Sequence, residues 1–151
     1  MKNYFQKQFT FNNWANVKFI EFIKKNNIEN ELLLKILSHI ISVEELWLER
    51  LKNSTNYLID TWEIFSIQEI EVLSKNNFLN WQKFIKRENT KKFSSKMCTY
   101  RNNEGKECNN LQTDIIQNVL IHSAYHRGQL NFKLKLLKFE PIRSGYTDFL
   151  N

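Results

Sequence analysis

The chain has 151 residues, enough to bury the core of one domain and short for two, so residues 1–151 are expected to form a single helical domain. Three Gly and one Pro leave little material for the tight turns of a strand-rich fold, and every apolar stretch is broken by a charge or amide well before the roughly 20 residues of a membrane span. The formal charge of +6 comes from 22 Lys and Arg spread among 16 acidic residues, without the long basic block that would point to nucleic acid.

In chain order, Met1 to Phe9 interrupts its aromatics with Lys2, Asn3, Gln6, Lys7 and Gln8, unlike a secretory leader, and a cytoplasmic protein is expected. From Tyr4 to Lys25, the residues Phe5, Phe9, Trp14, Val17, Phe19, Ile20 and Ile23 recur mostly at three- and four-residue steps, which predicts a first amphipathic helix. A second helix starts at Asn30, a good N-cap with Glu31 behind it, and runs to about Lys52. Ser66-Ile67-Gln68-Glu69 has the S-x-x-E form of a capping box and opens a third helix that reaches about Glu88.

The polar segment Ser94 to Asn110 suggests a small hairpin around Asn102-Asn103-Glu104-Gly105. A symmetric turn there would set Cys98 opposite Cys108, although two free thiols are the expectation for a reducing compartment. A fourth helix opens near Thr113, with Asp114 at its positive end, and continues to Leu137, beyond which Pro141 forbids it. Four helices of about 20–25 residues bury their apolar stripes most simply as an all-α four-helix bundle. The dozen or so residues between helices two and three, extended, reach about 40 Å, which permits a long crossover.

The chain's three histidines form the one constellation with metal-binding chemistry. His122 and His126 stand four apart on the fourth helix and project from one face, the way a helix offers two nitrogens to one ion. His39 lies near the middle of the second helix, at a level that either helix direction brings within about 10 Å along the bundle axis. His122-Ser123-Ala124-Tyr125-His126 lacks the glutamate of the H-E-x-x-H proteases, no C-x-x-C precedes it, and no G-x-S-x-G elbow occurs in the chain.

Leu37-Ser38-His39-Ile40-Ile41-Ser42-Val43-Glu44-Glu45-Leu46-Trp47, followed by His122-Ser123-Ala124-Tyr125-His126-Arg127-Gly128-Gln129-Leu130, resembles the DinB/YfiT-like family, the DNA-damage-inducible DinB group. Phe11-Asn12-Asn13-Trp14-Ala15-Asn16 and the stretch from Pro141 to Leu150, with Asp148, extend the likeness over nearly the whole chain. The resemblance implies a four-helix bundle with a long crossover, a homodimer, and one divalent metal ion such as zinc or nickel on His39, His122 and His126. Many members carry a further histidine where this chain has Asn118, so no fourth imidazole is expected.

Around the imidazoles, Glu44, Glu45, Asn118 and Arg127 are candidates for a supporting shell, with Arg127 expected either to pair with Glu44 or Glu45 or to hold an anionic substrate near the metal. Gly128 inside a helix points to close packing by a neighbouring helix or subunit, and Trp14 and Trp47 are expected in the core. Three imidazoles leave one coordination position open on a tetrahedral ion, the pattern of a reactive site. By resemblance, the reaction is transfer of a low-molecular-weight thiol to an electrophilic small molecule, and no catalytic side chain is assigned. A metal-dependent hydrolase with Glu44 or Glu45 as base, or a non-catalytic metal-binding stress protein, would use the same ligands. Proton competition for free imidazoles sets the expected loss of metal below about pH 6.5.

Overall fold

The computed structural model describes residues 1–54 and 58–151. Four long helices, α1 (Lys2–Lys25), α2 (Glu31–Leu51), α3 (Ile67–Arg87) and α4 (Gln112–Leu136), are joined by a hairpin of β1 (Met97–Arg101) and β2 (Glu107–Leu111) and followed by a short α5 (Tyr146–Leu150). The start signals act as read: the Asn30 side chain accepts from the Leu33 N–H, and Ser66 and Glu69 close a reciprocal capping box.

Helices α1, α2 and α4 stop in Schellman turns, in which two backbone N–H groups beyond the helix return to its last carbonyls, whereas α3 ends where Glu88 turns extended. At the end of α4, Lys138 N–H reaches Lys135 O and Phe139 N–H reaches Leu134 O, with Lys138 at φ 68°. Asn27 and Asn53 hold the same left-handed position after α1 and α2. The fourth helix therefore ends through this turn, short of Pro141.

Cross-helix bonds give the directions. Asn77 Nδ2 donates to Ile41 O and Trp81 Nε1 to Glu44 O, so α2 and α3 advance together and are parallel. Of the connection between them, residues 58–66 lie back along α2, where Thr61 O meets His39 Nδ1 and Phe65 N–H donates to Ser38 Oγ. This is the long crossover. Helix α1 runs antiparallel to α3, from Gln82 on Gln6 O at one end to Lys24 on Glu71 at the other.

Two apolar clusters fill the bundle. One packs Phe9, Leu48, Trp81, Ile116 and Val119 at the hairpin end, and the other packs Phe19, Leu33, Leu37, Ile70, Leu130 and Leu134 at the opposite end. Late α2 residues thus meet early α4 residues, so these two helices are antiparallel. Between the clusters lies a buried polar layer in which Glu44 Oε1 accepts from Asn12 Nδ2 at 2.7 Å, Asn16 Nδ2 at 3.1 Å and Ser123 Oγ at 3.1 Å. Arg127 Nη1 donates to Oδ1 of the same two asparagines at 2.7 and 2.8 Å.

The two asparagines thus join the buried carboxylate to the buried guanidinium without a direct ion pair. This answers the expected Arg127–Glu44 pairing: at that depth each charge needs several hydrogen bonds, and the amides satisfy both at once.

Three local expectations need correction. The hairpin turns about Glu104, so Cys98 faces Asn110 and Cys108 faces Tyr100 rather than each other, while both thiols are free as expected. Trp14 and Trp47 are half-buried, Trp14 beside Phe149 of α5 and Trp47 against Tyr100 of β1, while Trp81 is the tryptophan in the core. Gly128 is exposed, with open space around it among the described residues, so no helix of this chain packs there.

Candidate metal centre

His39 is buried on α2, and His122 and His126 are half-buried one turn apart on α4. Because α2 and α4 are antiparallel neighbours, the three rings come to one level. Nε2 of His122 lies 3.2 Å from Nε2 of His39 and 3.0 Å from Nε2 of His126, and one nitrogen from each ring falls within 4.8 Å of the other two. Two nitrogens each about 2.05 Å from a tetrahedral zinc are about 3.3 Å apart. The spacing suits a small divalent ion.

Partners fix the proton positions on two of the rings, while His122 Nδ1 is buried with no partner among the described residues. His39 Nδ1 is 2.7 Å from the carbonyl of Thr61, and His126 Nδ1 is 2.7 Å from Gln129 Oε1. Both oxygens only accept, so each Nδ1 carries the hydrogen and each Nε2 presents a lone pair. A neutral His122 can donate to one of those lone pairs at most. A cation at the common point would satisfy all three, which is the fit expected of a metal-binding set.

Burial adds to this. Desolvation, then the neighbouring His126 and His39, lower the His122 pKa to about 4. Desolvation also lowers that of His39, against the Thr61 hydrogen bond. His39 and His122 therefore stay neutral, and able to ligate, at lower pH than free histidine.

The model of the DinB family matches residues 3–150. The chain belongs to the DinB family. No curated protein gives a match. Family membership and the clustered histidines together fit a metal-binding protein.

In this DinB-family chain the surroundings of the imidazoles differ from the expected shell. Glu44 and Arg127 bond in the central polar layer, Glu45 is half-buried with its pKa raised by burial and by Glu49, and Asn118 is exposed. None of the four bonds to an imidazole among the described residues. Helical phase is the reason: Arg127 stands about 100° round the helix from His126 and so faces the core. Its influence, with that of Glu44, is to hold the backbones that carry the rings.

The residues that do orient the rings are Gln129, Thr61 and Trp62. The Trp62 indole stacks on His39 with centroids 3.9 Å apart and planes at 10°. Gln129 sits three residues after His126, a spacing legible in the sequence, whereas Thr61 and Trp62 lie in the crossover and carry no periodic signal.

Two cavities reach the histidines. One, of about 500 Å³, is lined by His39 and His126 with Ile36, Trp62 and Phe132. The other, of about 450 Å³, is bordered by His39 and His122 with Arg50, Trp62, Asn102 and Glu104. His39 and its stacked Trp62 border both. No described helix is long and apolar enough to cross a membrane.

Proposed function

We propose that residues 1–151 act as one domain, holding a single divalent ion, zinc or nickel, through Nε2 of His39, His122 and His126, and transferring a low-molecular-weight thiol to an electrophilic small molecule. What carries this reading is the pair of cavities that converge on one three-nitrogen point, which gives two reactants separate approaches. When bound, such an ion lowers the pKa of a coordinating thiol and so supplies a thiolate near neutral pH.

The chain's own residues do the remaining work. Thr61 O and Gln129 Oε1 hold the Nδ1 hydrogens of His39 and His126 away from the centre, keeping the Nε2 lone pairs inward. Trp62 covers one face of His39 and limits water at the ring. Arg50, Asn102 and Asn103 offer hydrogen bonds to a polar thiol in the second cavity.

Hydrolysis with the same ligands is the alternative, and it needs a base. Glu44 is committed to the central network, but Glu104, on the hairpin turn, borders the polar cavity beside His122. The metal-loaded protein assayed with a thiol panel and an aryl halide, beside a panel of esters and amides, separates the readings. Conjugation that requires both thiol and metal supports transfer. Ester or amide cleavage abolished by Glu104→Gln supports hydrolysis, and activity in neither panel leaves a non-catalytic metal-binding protein.

A homodimer completes the proposal. The α4 residues Ile121 and Tyr125 are 59 % and 64 % exposed and stand one helical turn apart outside the cavity lined by Phe132 and Leu136, with Gly128 just beyond them. A second copy packed on that stripe would cover it, and the bare glycine would permit close approach.

A further inference from the structure

The larger cavity has a chemistry of its own. Leu32, Trp62, Phe132 and Leu136 give it apolar walls although each is at least 46 % exposed. Lys35 and Lys133 line it too, both half-buried, and among the described residues no carboxylate does. The Lys35 ammonium lies 5.7 Å from the Trp62 ring centroid, a cation–π distance that holds it over the ring that stacks on His39.

Helix direction sets the distances along this cavity. Lys35 is four residues before His39 on α2, about 6 Å along the axis, and Lys133 is seven after His126 on α4, about 10 Å. With α2 and α4 antiparallel, both displacements run the same way. Lys35 and Lys133 therefore line the cavity from positions on the same side of the imidazoles along the bundle.

We infer that this cavity takes a small amphipathic anion, with its carboxylate at Lys35 and Lys133 and an apolar body reaching back about 6–10 Å toward the histidines. The assignment names the electrophile class for the proposed reaction and rests on that reading for its catalytic meaning, but not for binding. A volume of about 500 Å³ lies within the range of small-molecule sites and admits a phenylalkanoate. A cationic analogue would meet two like charges, and a neutral one would leave both ammonium groups without a partner.

The probe is 4-phenylbutyrate, titrated calorimetrically into the full chain beside 4-phenylbutyramide and 4-phenylbutylamine, with and without zinc. The carboxylate is expected to bind about tenfold more tightly than the amide in both forms, with the amine weakest. The double variant Lys35→Gln/Lys133→Gln should lose that preference while its amide affinity, thermal midpoint and zinc content stay unchanged. A preference present only with zinc and indifferent to both lysines would put the carboxylate on the metal and overturn the assignment, leaving the metal site standing. A preference that persists in protein unable to bind zinc would keep the assignment and reject the metal reading. Absence of carboxylate binding in both forms, as when a second copy occupies the cavity, also overturns it.

Discussion

Gln129 Oε1 lies 2.7 Å from His126 Nδ1, one helical turn beyond it, and this bond decides which nitrogen of His126 carries its hydrogen. Removing the acceptor frees the ring to rotate and to exchange tautomers. Gln129→Ala is expected to weaken zinc binding by about 10- to 100-fold, measured by competition with a chromophoric chelator. Gln129→Glu, with a charged acceptor in place, should restore or exceed the original affinity. An unchanged affinity in both variants would remove Gln129 from the site.

The lowered pKa values of His122 and His39 revise the expected acid limit. Protons compete with a metal only where an imidazole can hold them, and for His122 that is near pH 4. Zinc content, followed by dialysis at stepped pH, should hold below 6.5 and fall toward 4. In the metal-free protein, a folded-state value below the unfolded one means that the unfolded chain binds more protons between them. Stability is then full above pH 6.5 and declines as pH falls toward about 4. Thermal midpoints of the metal-free protein should show this slope, and His122→Gln should reduce it.

Glu44 behaves in the opposite sense. Burial raises its pKa, and the bonds from Asn12, Ser123 and Asn16 and the charge of Arg127 only partly offset this. A raised acid pKa gives a contribution that is full below the ordinary carboxylate range and is lost as pH rises through the folded-state value. Urea denaturation of Glu44→Gln should show a weaker decline with rising pH than the original protein. Glu44→Ala, which strips three donors of their acceptor and leaves Arg127 buried, should cost about 3–5 kcal/mol. A loss under about 1 kcal/mol would mean that the layer is solvated.

The exposed α4 stripe gives a prediction about assembly. Ile121→Glu places a charge within the proposed contact, and sedimentation equilibrium should show a dimer shifting to monomer. The stripe is disqualified if the unsubstituted chain is monomeric at all concentrations, or if the variant dimerises unchanged.

Much of this architecture is legible in the residues. Asn30, Ser66 and Glu69 mark helix starts because capping is local chemistry, and the His122–His126 pair is visible because helical periodicity is local too. The convergence of His39 depends on α2 and α4 being antiparallel neighbours, which the length of the crossover permits but does not require. The polar layer was harder to read. Asn12 and Asn16 stand on the apolar stripe of α1, where amides ordinarily mark the solvent side, and they are buried because Glu44 and Arg127 from two other helices meet there. Helix α5 also lay beyond periodicity: five residues are too few, and it is positioned by Phe149 on Trp14 and by the Asp148 carboxylate, which accepts from the Gly145 N–H.

Elemental analysis of the freshly purified chain beside its His122→Ala variant tests the central claim most directly. One zinc or nickel ion per chain is expected in the first, and close to none in the second, with both folded by circular dichroism. Equal metal content in the two proteins, or an original chain that stays metal-free after incubation with zinc and nickel, would contradict it.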